Sequence, residues 1–268
     1  MITAEISEIF VSIQGEGLYC GQKQVFLRFA GCNLNCVYCD EPAAHVKRCQ
    51  APFYGHRSQV IGCKSQVTSH KSQEELRAER TNYREMSVAS AAAEVIQLAR
   101  KNRAKAVSLT GGEPLLNWGF IMKLAPALRK AGLAVHLETN GIFYRELSKV
   151  KNLVDVVAMD IKLPSSTGQK PFWREHSEFI KTAPEKTFVK VVLTSKTSLH
   201  DFTKAVKLTA SVPGIVPFFL QPATRRTLPA GAVRPPTGVF LEKACCEASS
   251  RLPVVRLLPQ QHPKWGVK

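Results

Sequence analysis

The sequence has no apolar run approaching the roughly 18 residues that a membrane-spanning helix needs. It also lacks a basic segment at its start, because MITAEISEIF carries Glu5 and Glu8 and no Lys or Arg. A secretory signal begins with positive charge, so this start does not have the pattern of a signal. We therefore expect no membrane association and a cytoplasmic location.

Acidic residues are scarce as well: 21 Asp and Glu stand against 37 Lys and Arg, and the net charge of the 268 residues is +16. This excess favours anionic partners such as acidic small molecules, nucleic acids or acidic redox proteins. No zinc finger, RNA-recognition signature or long basic run accompanies it. We expect a solvated basic surface and no direct binding of nucleic acid.

The pattern of apolar segments predicts an α/β fold. Strands expected at 5–12 and 24–30 are followed, from residue 88 onward, by helical and strand-like segments in alternation. Such alternation predicts parallel strands joined by right-handed crossovers, with the active site at the carboxyl ends of the strands. We expect a single domain over residues 1–268, built as a partial or modified (β/α) barrel.

Residues 42–86 interrupt this pattern with poor apolar periodicity and a basic composition, and we interpret them as an insertion. The insertion contains two cysteines and three histidines, namely Cys49, Cys63, His45, His56 and His70. A second metal site is therefore an alternative to ordinary free thiols in this segment.

Three of the eight cysteines, Cys32, Cys36 and Cys39, lie close together directly after the strand expected at 24–30. In a chain of this length without a signal, such a cluster favours metal or cofactor ligation over disulfides. Cysteine thiolates hold iron–sulfur clusters, and three of them on a four-iron cluster leave one iron open to another ligand. A zinc site completed by a distant Cys or His is the alternative, since closed zinc sites take four ligands.

The C-x3-C-x2-C spacing, with an aromatic residue before the last cysteine, resembles the signature of the radical S-adenosylmethionine superfamily. The resemblance implies a [4Fe–4S] cluster on Cys32, Cys36 and Cys39 at the C-terminal end of the strands. It also implies that S-adenosylmethionine chelates the open iron through its amino and carboxylate groups. Tyr38 would then pack beside the adenine, with Cys39 and Asp40 next to the cofactor.

Glycine and polar residues end three later strands of the predicted barrel. In the superfamily, a GGEP segment such as 111–114 holds the methionine amino group, and a strand end without side chains can approach a ligand closely. The next two strand ends carry polar side chains that suit ribose hydroxyls. The residues that we assign to the cofactor at these ends are Gly112, Glu138, Thr139, Asn140 and Lys162.

The two ends of the chain narrow the resemblance to one family. The segment SIQGEG at 12–17, Phe26-x-Arg28, and RLLPQQH at 256–262 are similar to the 7-carboxy-7-deazaguanine synthase family. The resemblance implies a carbon–nitrogen lyase that converts 6-carboxy-5,6,7,8-tetrahydropterin to 7-carboxy-7-deazaguanine and ammonia, in the pathway to queuosine and related deazapurines of tRNA. A homodimer and a reductant such as flavodoxin or ferredoxin are further implications.

Substrate residues are carried over from the family by position. They are Ser12, Ile13, Gln14, Glu16, Arg28, Thr110 and His262. A pterin has an amide edge that Gln14 and Glu16 can pair with, and its carboxylate suits a guanidinium. The implied mechanism starts with one electron from the cluster, forms a 5′-deoxyadenosyl radical that takes the C6 hydrogen, and ends with ring contraction and loss of ammonia. No protein acid or base is assigned.

The family also places Mg²⁺ on the substrate carboxylate, near the residue that follows Cys-Asp. That residue is usually Ser or Thr, whereas this chain has Glu41. A carboxylate is a good ligand for a hard cation, but it adds negative charge beside an anionic substrate. Glu41 therefore predicts either tighter binding of Mg²⁺ or loss of its site.

Two other functions stay open at this point. One is a radical S-adenosylmethionine enzyme that activates a protein partner, although QGEG, Arg28 and the PQQH tail speak against it. The other is a non-enzymatic zinc and RNA-binding module, which predicts salt-sensitive RNA binding and a colourless protein.

Overall fold

The computed structural model describes residues 2–41, 83–228 and 231–267. Its strands, in chain order, are β1 (Thr3–Ile13), β2 (Lys23–Phe29), β3 (Arg84–Ser87), β4 (Ala106–Gly111), β5 (Ala134–Thr139), β6 (Val156–Asp160), β7 (Thr187–Leu193), β8 (Phe218–Pro222), β9 (Arg226–Leu228), β10 (Gly231–Val233) and β11 (Val255–Leu257). Strands β9 and β10 pair with each other, and the other nine form one sheet.

The helices cover one face of this sheet. They are α1 (Val88–Asn102), α2 (Trp118–Lys130), α3 (Tyr144–Val150), α4 (Pro164–Thr167), α5 (Trp173–Thr182), α6 (Leu199–Ala210), α7 (Gly238–Ser249) and α8 (His262–Trp265), with 3₁₀ turns at Gly17–Tyr19, Pro114–Asn117 and Pro184–Lys186. The Ser87 side chain accepts a hydrogen bond from the backbone N–H of Ser90, so it caps α1 as the sequence predicts.

The strand order is β11-β8-β7-β6-β5-β4-β2-β1-β3. From β2 through β4 to β8 and β11, neighbouring strands are parallel, whereas β1 runs antiparallel to both β2 and β3. The parallel part confirms the predicted partial (β/α) barrel. Because consecutive parallel strands place their carboxyl ends at one edge, the loops after β2, β4, β5 and β6 come together there.

Residues of the central strands alternate between the helix-covered core and the opposite face. On β7, Val189 and Val191 are fully buried in the main core, whereas Phe188 and Lys190 lie on the other side and line a cavity. The alternation arises because successive side chains of a strand point to opposite faces. A charged residue within an otherwise apolar strand is thereby directed into the cavity.

Several parts of the fold differ from the sequence prediction. Residues Arg84–Met86 were assigned to the insertion but belong to β3, which pairs with β1 at the sheet edge. Helices α3, α4 and α8 and the hairpin of β9 and β10 were not predicted, because each is too short to show a period. Residues 42–82 of the insertion, with Cys49 and Cys63, lie outside the described residues. None of the described helices is long and apolar enough to cross a membrane.

Phe218 tests the packing between sheet and helices. Its fully buried ring on β8 lies 6.1 Å from that of Phe202 on α6, between ring centroids. Phe218→Ala is expected to lower the free energy of unfolding by about 3–5 kcal/mol, since it leaves a cavity in the core. Leu257→Ala, at a side chain that is 45% exposed, is the control and should change it by less than about 0.5 kcal/mol. Urea titration measures both, and equal effects would contradict this packing.

Candidate active site

A cavity of about 420 Å³ opens at the carboxyl ends of the parallel strands. All of the residues predicted for the cluster, the cofactor and the substrate line it, with the exception of Ser12. Ser12 instead lines a separate pocket beside Lys23 and Val267. The fold thus brings together residues that span the chain from Ile13 to His262.

The cysteine loop after β2 forms one wall of the cavity. Cys32, Cys36 and Cys39 are partly buried and each lines the cavity. Burial raises the pKa of the Cys32 thiol to about 12 and those of Cys36 and Cys39 to about 11. Ligation therefore has to displace three thiol protons. In the described part of the chain, no three Cys, His, Asp or Glu side chains are grouped so as to hold a metal ion.

The glycines of the GGEP segment allow β4 to approach the cysteine loop. Gly111 has a φ of +126°, and a Cβ added there would lie 2.2 Å from the carbonyl oxygen of Phe29. A Cβ on Gly112 would lie 1.9 Å from the carbonyl oxygen of Gly31. No side chain fits at these distances, so the two segments pack backbone to backbone. The glycines line the cavity and also position the loop that holds the cysteines.

Glu113 is a fully buried carboxylate that joins two strand ends. Its oxygens accept hydrogen bonds from the backbone N–H of Leu115, the hydroxyl of Thr139 and the backbone N–H of Asn140, at 2.8–3.0 Å. Its own N–H donates to the carbonyl of Gly31 at 2.8 Å. Burial raises the pKa of Glu113 to about 7, against the effect of these donors.

Asn140 extends this connection to the cysteine loop. Its side-chain amide donates to Asn33 Oδ1 at 2.7 Å, between Cys32 and Cys36. The carbonyl of Asn140 lies 3.1 Å from Nε2 of His176, a fully buried residue of α5. Because a carbonyl only accepts, Nε2 carries the proton, and burial lowers the pKa of His176 to about 3. Asn140, which the sequence predicted to contact the cofactor, is thus held by Asn33 on one side and by His176 on the other.

Glu138 connects the predicted cofactor and substrate residues. Its carboxylate accepts hydrogen bonds from Gln14 Nε2 at 2.8 Å, Ser108 Oγ at 2.5 Å and Thr110 Oγ1 at 3.1 Å. Gln14 and Thr110 were predicted to bind substrate, and both are held here by the strand end of β5. These three donors, from β4 and the turn after β1, fix the orientation of the Glu138 carboxylate in the cavity.

Glu16 is linked through the Gln260 amide to Asp40, which follows Cys39. Its Oε1 accepts hydrogen bonds from Gln221 at 3.0 Å and Gln260 at 2.7 Å, and its Oε2 contacts the ammonium of Lys190. Burial raises the pKa of Glu16, but Lys190, the amide of Gln260 and His262 outweigh it and hold the value at about 2. Glu16 is therefore an ionised acceptor at neutral pH.

The QGEG turn that carries Glu16 packs on the C-terminal segment. A Cβ added to Gly15 would lie 2.7 Å from the backbone nitrogen of His262, and Gln261 N–H donates to the Gly15 carbonyl at 3.0 Å. Gly17, with a φ of +62°, leaves space for the ring of Phe188. These contacts explain why glycine occurs on both sides of Glu16 and how His262 reaches the cavity.

A second ion pair lies closer to the cysteines. Lys162 Nζ is 2.8 Å from Asp160 Oδ2 and 5.4 Å from the centroid of the Tyr38 ring. Burial lowers the pKa of Lys162, but Asp160 and Tyr38 outweigh it and raise the pKa well above its ordinary value. The other oxygen of Asp160, Oδ1, is buried and has no hydrogen-bond partner among the described residues.

Arg28 and Glu41, for which the sequence predicted separate roles, form an ion pair. Arg28 Nε also lies 4.0 Å from Glu8 Oε2, and its guanidinium is 5.4 Å from the centroid of the Phe10 ring. Arg28 is therefore held by carboxylates at the place where the sequence predicted that it meets a substrate carboxylate.

Several functional candidates were missed by sequence reasoning. They are Asn33, Ser108, His176, Lys190 and Gln221. Glu113, Asp160 and Gln260 lie in the GGEP segment, at a predicted strand end and in the PQQH tail, but the sequence assigned no role to their side chains. Lys190 and Gln221 had a signal, because each is a polar residue in an apolar strand segment. His176 had none, since its partner becomes adjacent only in the fold.

Comparisons with known proteins show which family this chain resembles. The sequence profile of the Radical SAM superfamily matches residues 27–196. A 7-carboxy-7-deazaguanine synthase of Geobacter sulfurreducens is 34% identical over 98% of this chain and 97% of that protein. One of Methanopyrus kandleri is 33% identical over 82% of this chain and 81% of that protein.

Solved structures give the same fold. The crystal structure of QueE from Escherichia coli matches with a TM-score of 0.59 at 20% identity and covers 96% of this chain and 94% of that one. A radical SAM methyltransferase from Sphaerobacter thermophilus matches with a TM-score of 0.57 at 12% identity, over 94% of this chain and 77% of that one.

Glu113→Gln tests the connection between the strand ends. The amide presents an N–H group toward donors that need an acceptor, so we expect the free energy of unfolding to fall by about 2–3 kcal/mol in a urea titration. Glu185→Gln, on an exposed 3₁₀ turn, is the matched control and should change little. An unchanged stability of Glu113→Gln would show that these three hydrogen bonds do not hold the site together.

Proposed function

We propose a reaction for this chain from one premise: it belongs to the radical S-adenosylmethionine superfamily and, within it, to the 7-carboxy-7-deazaguanine synthase family. It is a radical S-adenosylmethionine lyase of deazapurine biosynthesis, and it carries a [4Fe–4S] cluster. Its substrate is 6-carboxy-5,6,7,8-tetrahydropterin, which it converts to 7-carboxy-7-deazaguanine and ammonia. One observation carries the assignment of the site: three thiols and a buried, ionised Glu16 face the same cavity.

The residues that line the cavity fit an iron–sulfur cluster and S-adenosylmethionine. Cys32, Cys36 and Cys39 supply the thiolates that an iron–sulfur cluster needs. Asp160 Oδ1 is a buried acceptor without a hydrogen-bond partner, which a hydroxyl or amine of a bound molecule would satisfy. When bound, cluster and S-adenosylmethionine supply the carbon-centred radical that takes hydrogen from the substrate. The chain itself orients the two molecules and excludes water.

Tyr38 and Lys162 form the cofactor side of the cavity. The Tyr38 ring packs on the small apolar cluster of Val192, Ala223 and Val233, so its position is set by β7 and the hairpin. Lys162 lies over this ring and stays protonated, which suits the carboxylate of S-adenosylmethionine. Gly112 and Asn140 complete this side through the strand ends that Glu113 joins.

The substrate side is formed by Gln14, Glu16, Arg28 and His262. The N–H groups of the pterin pair with Glu16, because an ionised carboxylate accepts hydrogen bonds and donates none. The carboxylate of the pterin pairs with Arg28 and displaces Glu41 from it. A bidentate guanidinium pair is stronger and more directional than a contact with a single ammonium, so it fixes the ring relative to the cofactor.

Mg²⁺ fits the donors of this region in type. Asp40 and Glu41 are consecutive carboxylates that line the cavity next to Arg28, and hard cations prefer oxygen ligands. Asp40 Oδ2 already accepts from Gln260 at 2.9 Å, so it is oriented by the same amide that holds Glu16. Glu41 would be available as an oxygen ligand for Mg²⁺ when the substrate carboxylate pairs with Arg28 in its place.

A homodimer and a flavodoxin or ferredoxin as reductant are further predictions that rest on the family resemblance. A cytoplasmic location is predicted from the start of the sequence, which does not have the pattern of a secretory signal. Of these three, the reductant bears on the reaction, because it supplies the electron.

The reaction is tested with the anaerobically reconstituted protein, a reductant, S-adenosylmethionine and the carboxytetrahydropterin. We expect a brown protein and 7-carboxy-7-deazaguanine by mass spectrometry. Cys36→Ala should lose both the colour and the cleavage of S-adenosylmethionine, since the cluster loses one of three ligands.

Cys246→Ala, at an exposed cysteine of α7, is the matched control and should keep colour and product. If the wild type cleaves S-adenosylmethionine but forms no deazapurine, the substrate assignment is wrong and the protein-activating alternative gains support. If Cys36→Ala still cleaves S-adenosylmethionine, the cluster assignment itself is wrong.

Glu41→Gln tests the role of Glu41 toward Mg²⁺. Replacing an anionic oxygen ligand by a neutral amide should raise the Mg²⁺ concentration for half-maximal activity at least about tenfold, at saturating pterin. Glu8→Gln removes the other carboxylate near Arg28 and should leave the Mg²⁺ requirement unchanged. An identical Mg²⁺ titration for wild type and Glu41→Gln would limit Glu41 to its pair with Arg28.

A further inference from the structure

Lys190 is a buried cation that no sequence pattern assigned to the site. It lies on β7 with its side chain directed into the cavity. Its ammonium contacts Glu16 Oε2 on one side and lies 3.7 Å from Asp160 Oδ2 on the other. The side chains of Lys190 and Glu16 are each 17% exposed, so the pair is largely removed from water.

The two oxygens of Glu16 are used differently. Oε1 accepts from two amides, those of Gln221 and Gln260, whereas Lys190 is the contact of Oε2 within the described residues. An ionised carboxylate can accept about four hydrogen bonds, so the described residues leave about one acceptor position, on Oε2, for a ligand. The three donors come from β7, β8 and the segment before α8, and together they fix the plane of the carboxylate.

A neutral residue at position 190 would not keep this acceptor. Burial disfavours a carboxylate, and without a cation beside it a buried glutamic acid takes up a proton. Protonated Glu16 would present an O–H group toward the N–H groups of the pterin, and two donors would then face each other. The ammonium therefore determines both where Glu16 points and whether it can accept.

We propose that Lys190 is a positioning residue for substrate recognition, which holds Glu16 as the ionised acceptor for the N–H donors of the pterin ring. Asp160 anchors the ammonium from the opposite side. The inference rests on the proposed function, because it takes the pterin as the ligand of Glu16. Lys190 itself does not take part in the chemistry.

The charged groups around Lys190 and Glu16 determine how the ionisation of Glu16 depends on pH. Lys190 from β7 and His262 from α8 face Glu16 and favour its ionised form, and Cys20 lies near it in the turn after Gly17–Tyr19. Asp40, after the cysteine loop, accepts from the same Gln260 amide as Glu16. Asp160 and Lys162 from the end of β6 face Lys190. With Lys190 present, Glu16 is ionised throughout the neutral range, so its titration contributes no pH dependence to binding there.

Lys190→Met removes the charge and keeps an unbranched side chain of similar length. Burial then acts on Glu16 without the ammonium, so its pKa rises and the carboxyl is protonated at the acidic end of the range. Binding should weaken at least about tenfold at the acidic end of the range and recover as the pH rises and Glu16 ionises. Lys190→Arg keeps the charge and should keep a flat profile.

The test is equilibrium dialysis of 6-carboxypterin, a non-reacting analogue, against the reconstituted protein with S-adenosylmethionine, from about pH 6 to about pH 9. Glu16→Gln, which cannot titrate, should bind weakly at every pH. The double variant Glu16→Gln/Lys190→Met should bind no worse than Glu16→Gln alone. If Lys190→Met does not fold, Lys190→Gln provides the same neutral replacement.

The outcomes separate the two claims. If the wild type does not bind 6-carboxypterin, the proposed substrate class is wrong. If the wild type binds and the neutral variants show unchanged affinity, or a weakened affinity without pH dependence, the inference about Lys190 is wrong while the substrate class stands.

Discussion

The buried carboxylate of Glu113 is the contact on which the rest of the site depends. It accepts hydrogen bonds from Thr139 and Asn140, and its backbone donates to Gly31. Through Asn140 and Asn33 the connection reaches the middle of the cysteine loop. A loop with three ligands needs a defined scaffold, because otherwise their mutual positions fluctuate. The GGEP segment thus supports the cluster loop as well as offering a strand end to the cofactor.

A second carboxylate, Glu16, organises the substrate side of the cavity. Between the two, Lys190, Asp160 and Lys162 alternate in charge from the substrate side toward Tyr38. Each of these charges has an opposite partner within 4 Å, which makes their burial tolerable. Alternate positions of the parallel strands face the cavity, so the charged residues at these positions lie next to one another there.

Sequence reasoning identified what depends on local pattern. The helix over 88–102, its cap at Ser87 and the cysteine loop after β2 all follow from spacing within a few residues. It did not identify Lys190 as the partner of Glu16, because 174 residues separate them in the chain. The edge strand β3 was also missed, since four residues show no period and only pairing with β1 defines them. The sequence shows that Glu41 stands where the family usually has Ser or Thr. Its pairing with Arg28 is visible only in the fold.

The central claim is that one cavity holds the cofactor at the cysteine loop and the pterin at Glu16. An anaerobic crystal structure of the reconstituted protein with S-adenosylmethionine and 6-carboxypterin tests it most directly. The claim predicts a cluster on Cys32, Cys36 and Cys39, with pterin N–H groups on Glu16 and the pterin carboxylate on Arg28. A pterin bound elsewhere, or with its carboxylate away from Arg28 and Glu41 still paired to it, would contradict the account.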